Sequence, residues 1–298
     1  MVWIPVTLAA ALFQILRTSR QHELRTVLDT SAAGFVRYAY GWPLALVVLG
    51  ITLAVGPHDF PELPLRFWVF VTLGGVAQII ATVALLTSFK WRDFAIGTVY
   101  SKTEVVQVAV VSAVLLDEPI GGWAWIGVVA VLVGVAWLAA PGRLGDLAQR
   151  LGDPAAGMGA LAGGLFAVAA VGIRGASNAL DTELPASFRA LVTLSVMLGI
   201  QTVINTAQLG LTERSQLVAV GRHWRRALPV GVLSLLGSFS WAWAMTLTSA
   251  AKVRTLGQVE LVIAFAISTW WLGERHERGE YLASALVLAG VGVVVAVG

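Results

Sequence analysis

Residues 103–118 read TEVVQVAVVSAVLLDE, and residues 259–274 read VELVIAFAISTWWLGE. Each is an apolar run entered through one glutamate and closed by another. Glu104 and Glu260 are separated by 260 − 104 = 156 positions, and Glu118 and Glu274 by 274 − 118 = 156. Gly134 and Gly290 share that offset. Apolar helices align easily, but paired glutamates at one offset do not arise so easily. Further upstream, Phe35 and Arg37 resemble Phe188 and Arg189, and Leu12-Phe13 resembles Leu165-Phe166, at offsets of 152 and 153. Loop-length differences account for the drift. The chain therefore contains an internal repeat, with units expected at 1–148 and 149–298.

Composition says what solvent surrounds these runs. The 298 residues are 57% hydrophobic and 12% charged, with a mean hydropathy of +0.80. A soluble domain carries about 25% charged residues. Too little polar surface remains here to cover a water-exposed core, so bilayer is the fitting solvent. There are 20 basic and 17 acidic residues, most of them in short connections. No basic run with interleaved aromatics points to nucleic acid. With no cysteine, disulfides and thiolate metal sites are excluded. No basic n-region precedes the first apolar stretch, so a cleaved signal peptide is not expected.

Crossing about 30 Å of hydrocarbon takes about 20 apolar residues. Ten stretches qualify, at about 2–18, 33–55, 66–88, 94–116, 122–140, 155–177, 185–209, 227–248, 250–272 and 280–297. Turn chemistry separates them, including Gly56-Pro57, Pro61–Pro64, Asp117-Glu118-Pro119, Pro141-Gly142 and Gly273-Glu274. The longest irregular stretches are 19–32, 141–154 and 210–226, none long enough for a soluble domain. Trp3, Trp68, Trp91, Trp123 and Trp224 fall near span ends, as an aromatic belt would place them. The expected fold is an all-α integral membrane protein of ten transmembrane helices. Five spans per unit is an odd number, so the two units enter the membrane from opposite sides. That inverted-repeat design supports alternating access around a central cavity in many secondary transporters.

The endings Leu116-Asp117-Glu118 and Leu272-Gly273-Glu274, each followed by a Gly-rich final span, resemble the drug/metabolite transporter superfamily, in particular its ten-helix EamA branch. Asp117 stands where the usual pattern has glycine. The resemblance covers essentially the whole chain and implies a membrane transporter, not an enzyme. Its family substrates include amino acids, other metabolites, drugs, nucleotide sugars and sugar phosphates, so fold analogy does not choose among them.

Charge inside a span marks a functional candidate. Arg37, Lys102, Glu104, Arg189, Lys252, Arg254 and Glu260 fall in or beside spans. The expected substrate-binding set is Glu104, Glu260, Lys102, Tyr100, Gln107, Gln258, Arg254 and Trp241. The glutamates could titrate or hold an amine, and the cations could hold a carboxylate or phosphate. The structural alternative pairs Glu104 with Lys102 or Arg37, and Glu260 with Arg254 or Arg189. For Arg37 and Arg189 the structural role is favoured. Tyr38, Tyr40 and Trp243 are further aromatics that either line a cavity or pack. Gln78 and Ser240 suit either a hydrated cavity or interhelical hydrogen bonding. Glu118 and Glu274 read as fold markers, and Gly159-xxx-Gly163 and Ala130-xxx-Gly134 as close-packing seams.

His22, His58, His223 and His276 all fall in connections and form no HExxH, and no Gly-rich phosphate loop is present. No metal or cofactor is expected. The reading is a secondary transporter, an exporter of small metabolites such as amino acids or related organic anions, in a bacterial inner membrane. Five cations against two carboxylates in or beside the spans favour an anionic group on the substrate. Protons are a candidate coupling ion, and a monomer or weak homodimer is expected. A lipid or lipid-phosphate flippase and a multidrug or cationic-compound exporter are the alternatives. Thirteen basic residues fall in odd connections against two to four in even ones, which by the positive-inside rule places both termini outside.

Overall fold

The computed structural model describes residues 1–24, 26–88, 94–139, 145, 152–270 and 277–297. Its helices are α1 (Trp3–Leu24), α2 (Thr30–Val55), α3 (Leu65–Ser88), α4 (Phe94–Ser101), α5 (Glu104–Leu116), α6 (Gly122–Ala139) and α7 (Pro154–Ala179). They continue as α8 (Ala186–Thr212), α9 (Arg214–Arg222), α10 (Trp224–Leu247), α11 (Ala250–Gly257), α12 (Val259–Trp270) and α13 (Arg278–Val297). Among the described residues, 8 spans are long and apolar enough to cross a membrane. They are α2, α3, α4 with α5, α6, α7, α8, α10 and α13. The expected first and ninth spans are not among these. In α1 the polar end from Arg17 to Glu23 dilutes the apolar run. The ninth is divided into α11 and α12, and its end at 271–272 lies outside the described residues.

Two connections expected to be irregular are partly helical. α1 continues to Leu24, where Arg20 pairs with Glu23 one turn on at 3.2 Å. Within 210–226, α8 runs to Thr212 and the short α9 follows. Leu217 packs inward from α9 against an apolar cluster that includes Val220, while Arg214 and Arg222 stay exposed. The remaining irregular stretch, 141–154, lies mostly outside the described residues.

The chain forms two compact units, and each draws on both sequence halves. One comprises Met1–Gly75 and Gly172–Leu247, the other Val76–Val171 and Thr248–Gly298. In the first, α1 packs along α10, and α2 packs against α10 and α8. Gly231 permits the close approach of α2, since a Cβ there would collide with that of Tyr40. The Tyr40 hydroxyl donates to the Val220 carbonyl at 2.9 Å.

In the second unit α6 packs along α13 through small residues. A Cβ on Gly127 would meet the Gly290 carbonyl at 2.6 Å, and one on Gly134 would meet that of Ala283 at 2.9 Å. The repeat offset carries one contact onto the other, since 127 + 156 = 283 and 134 + 156 = 290. The Ala130-xxx-Gly134 seam thus contributes to intramolecular packing. So does Gly159-xxx-Gly163, which lies against α4 and the residues after it. Cβ atoms at these glycines would come 2.6 Å from the Gly97 carbonyl and 2.8 Å from that of Ser101. In a bilayer, where no solvent drives apolar helices together, such small residues let backbones approach and gain dispersion contacts.

Asp117 explains one family marker. It is the one positive-φ non-glycine residue among those described, at φ 55 and ψ 40, and it ends α5. Its N–H and that of Glu118 both close on the Ser112 carbonyl. A left-handed residue at this place usually is glycine, which has no Cβ to crowd the carbonyl. Asp tolerates the region better than most residues, so it replaces the family glycine without loss of the cap. The equivalent Gly273, with Leu272 and Glu274, lies outside the described residues. Asp117→Gly should raise the thermal midpoint of the detergent-purified protein, by about 0.5–1 kcal/mol of stability. Asp117→Val should lower it by about 1–2 kcal/mol. Equal midpoints for the three proteins would show that the cap carries no strain.

Candidate functional site

Helices four and nine of the repeat are both interrupted at corresponding positions. α4 ends at Ser101 and α5 starts at Glu104, and α11 ends at Gly257 and α12 starts at Val259. Lys102 and Gln258 sit in the two breaks, 258 − 102 = 156 apart. At both breaks hydrogen bonds tighten to the i→i−3 kind. Thr103 N bonds the Tyr100 carbonyl at 3.2 Å and Val105 N that of Lys102 at 3.2 Å. Gln258 N bonds the Thr255 carbonyl at 3.2 Å and Leu261 N that of Gln258 at 3.1 Å. A mid-helix turn of this type often marks a hinge.

Local chemistry accounts for each break. The Thr103 hydroxyl donates back to the Tyr100 carbonyl at 2.5 Å, competing with the helix ladder. Gly257 precedes the second break, and the Gln258 amide reaches back to the Arg254 carbonyl at 3.4 Å. Restarting the helix exposes a fresh N-terminus, and Glu104 and Glu260 each occupy its first turn. A carboxylate there gains about 0.3–1 kcal/mol from the helix dipole.

The breaks are joined by two crossed ion pairs. Lys102 Nζ lies 3.0 Å from Glu260 Oε1, and Arg254 donates to the Glu104 carboxylate at 2.6 Å. All four residues belong to the second unit. Their side chains are 5% exposed at Glu104 and 15–19% exposed at the others. This corrects the pairings anticipated from sequence. Lys102 and Glu104 are two positions apart, and such residues do not face each other on a helix. Arg254 and Glu260 lie on separate half-helices. Each glutamate finds its cation on the other broken helix.

The cation excess also changes meaning. Lys102 and Arg254 are neutralised by carboxylates. Arg189 donates to the Ser177 carbonyl at 3.2 Å, near the C-terminal end of α7, where the helix dipole favours positive charge. Arg174 serves the last turn of α10 in the same way, donating to the Met245 carbonyl at 2.7 Å. Arg37 lies over the Tyr38 ring at 4.8 Å. These arginines belong to the first unit and make the structural contacts favoured for Arg37 and Arg189.

The remaining candidates divide between the units. Gln107, one turn beyond Glu104, donates to Thr103 Oγ1 at 2.9 Å and to the Ala160 carbonyl at 3.3 Å. Tyr100 packs against Ala155 and Ala156 at the start of α7. Gln258 is buried, at 2% exposure. Together with Lys102, Glu104, Arg254 and Glu260 they surround the breaks within the second unit. Trp241 belongs to the first unit, where its Nε1 donates to Gln14 Oε1 at 3.1 Å. Trp243 stacks on Phe239, and Ser240 bonds its own helix at the Leu236 carbonyl.

Sequence reasoning missed Thr103, Gln14 and Gln201. Gln201 is fully buried and donates to the Gly75 carbonyl at 3.2 Å. A polar amide in the middle of an apolar span was the available signal.

These features define a class: a polytopic helical membrane protein with an internal repeat and paired discontinuous helices that carry charge. The EamA-like transporter family matches twice, over residues 3–140 and 154–296. The chain belongs to the EamA-like transporter family, within the drug/metabolite transporter superfamily, and is a multi-pass membrane transporter. An "Uncharacterized transporter in cobO 3'region" from Sinorhizobium sp is 31% identical over 94 residues, covering 31% of this chain and 67% of that protein. One solved crystal structure, described only as that of a protein, aligns with a TM-score of 0.67 at 16% identity. That alignment covers 99% of this chain and 97% of the other, and it bears on the fold alone.

The geometry predicts strong coupling across the buried pair. Removing one partner of a buried ion pair costs about 3–5 kcal/mol, because the other charge is left uncompensated. Glu104→Gln or Arg254→Gln alone should therefore destabilise more than the double variant does. The Lys102–Glu260 cycle should show weaker coupling, since both its side chains are more exposed than Glu104. Additive losses at Glu104 and Arg254 in a thermal double-mutant cycle would contradict the pairing.

Proposed function

We propose that the protein is a secondary transporter of small metabolites, amino acids or related organic anions, working by alternating access around a central cavity. The supporting observation is the pair of crossed ion pairs at the breaks of helices four and nine. Discontinuous helices are where transporters of inverted-repeat design place substrate and coupling-ion sites. The network holds two positive and two negative groups, so its net charge is zero. A zwitterion matches it best. An α-carboxylate pairs with Lys102 or Arg254 and an α-ammonium with Glu260 or Glu104, and the internal pairs are exchanged without a change in total charge. A lone cation would leave the displaced lysine or arginine uncompensated in low dielectric, which costs several kcal/mol.

Export is the proposed direction, the bacterial inner membrane the proposed location, and protons the proposed coupling ion acting through the glutamates. Membrane lipids surround a monomer or weak homodimer.

The test is a thermal-shift screen of the purified protein against amino acids, organic acids, sugar phosphates and quaternary amines, followed by uptake into proteoliposomes. Amino acids should stabilise the parent protein, and Lys102→Ala and Glu260→Gln should each lose that stabilisation. Stabilisation by quaternary amines alone, abolished by Glu260→Gln and untouched by Lys102→Ala, would overturn the substrate class. Uptake that requires ATP and ignores every ion and substrate gradient would overturn the secondary mechanism.

A further inference from the structure

The two ion pairs are not equivalent under the repeat, and that asymmetry has consequences for transport. In an inverted-repeat transporter the two halves exchange conformations between the two access states. A contact seen here should therefore reappear in the other state between the repeat-equivalent residues. The offset of 156 carries Glu104 to Glu260, Lys102 to Gln258 and Thr98 to Arg254, since 260 − 104, 258 − 102 and 254 − 98 all equal 156. Exchange thus turns Glu104–Arg254 into Glu260–Thr98, and Lys102–Glu260 into Gln258–Glu104. Neither Thr98 nor Gln258 carries charge. Both ion pairs present in this state are replaced by charge–neutral contacts in the exchanged one.

The crossing of α6 and α13 behaves in the opposite way. Gly127 with Gly290 and Gly134 with Ala283 map onto each other under the same offset, so exchange leaves that contact as it was. The asymmetry is therefore localised at helices four and nine. It rests on two positions, each charged in one repeat and neutral in the other.

We propose that Lys102 and Arg254 are positioning residues of the transport cycle, which set the access state the empty protein occupies by pairing with Glu260 and Glu104. The inference rests on the alternating-access reading above. In the empty protein the pairs favour the present state. A substrate that supplies its own charges offsets their loss and lets the exchanged state form. Repeat-symmetric residues at these positions remove the preference, and transplanting the charges to the other repeat reverses it.

The chain has no cysteine, so single reporters are unambiguous. Val106 and Val262 are repeat-equivalent, flank the network and are both partly buried. Val106→Cys and Val262→Cys are labelled separately in sealed vesicles, with a membrane-impermeant maleimide added from either face. In the otherwise unaltered protein the ratio of rates from the two faces should be biased by about tenfold or more. Lys102→Gln with Arg254→Thr should bring it within about threefold of unity. Adding Thr98→Arg and Gln258→Lys to that pair should reverse the bias. Lys102→Gln alone should move the ratio the same way by a smaller amount, which keeps the test available if the fourfold variant does not fold.

If labelling occurs from both faces but the ratio ignores all these substitutions, the positioning role is overturned and alternating access stands. If neither reporter is reached from a second face in any variant, with or without amino acids, alternating access itself fails and the inference fails with it.

Discussion

Hydrocarbon offers charged groups no water, so every ionised side chain placed within the spans must find compensation inside the protein. That constraint organises the second unit. Glu104 and Glu260 can stay ionised there because each starts a half-helix and faces a cation carried by the other broken helix. The dipole contribution at a helix start is about 0.3–1 kcal/mol, small beside the cost of a buried charge. The ion pairs therefore supply most of the compensation, and they tie helices four and nine together at their weakest points.

The breaks and the charges depend on each other. An uninterrupted helix would leave Glu104 in mid-ladder, with no unsatisfied N–H groups ahead of it. A break without charges would expose backbone polar groups at membrane depth, which the bilayer does not tolerate. Close packing supplies the rest of the support. Gly159 and Gly163 bring α7 against the Ser101 carbonyl and the first residues of α5, and a side chain larger than hydrogen at either position would collide with backbone. The seam thus covers the break from the side and keeps lipid from it.

Much of this was legible in the sequence. The repeat, the all-helical membrane class and the family followed from Glu104, Glu260, Glu118, Glu274 and the apolar runs, because hydropathy and spacing are one-dimensional properties. Glu118 was read as a marker, and the left-handed Asp117 beside it shows what the motif marks. The breaks were not legible. Lys102-Thr103 contains neither proline nor glycine, and the hydroxyl back-bond that interrupts the ladder depends on a rotamer. The ion-pair partners were not legible either. Proximity in sequence suggested Lys102 for Glu104 and Arg254 for Glu260, but residue spacing on a helix forbids the first, and the crossing of α11 with α5 decides the second. Likewise the surplus of arginines became intelligible only once Arg174 and Arg189 were seen bonding carbonyls at helix ends.

The central claim is that opposite charges on the two broken helices hold each other across the site. A charge exchange tests it most directly. Lys102→Glu and Glu260→Lys, made singly, each place two like charges about 3 Å apart and should lower the thermal midpoint and weaken amino-acid binding. The combined variant restores an opposite pair at the same place and should recover at least half of the lost midpoint. A combined variant no more stable than the worse single one would contradict the account.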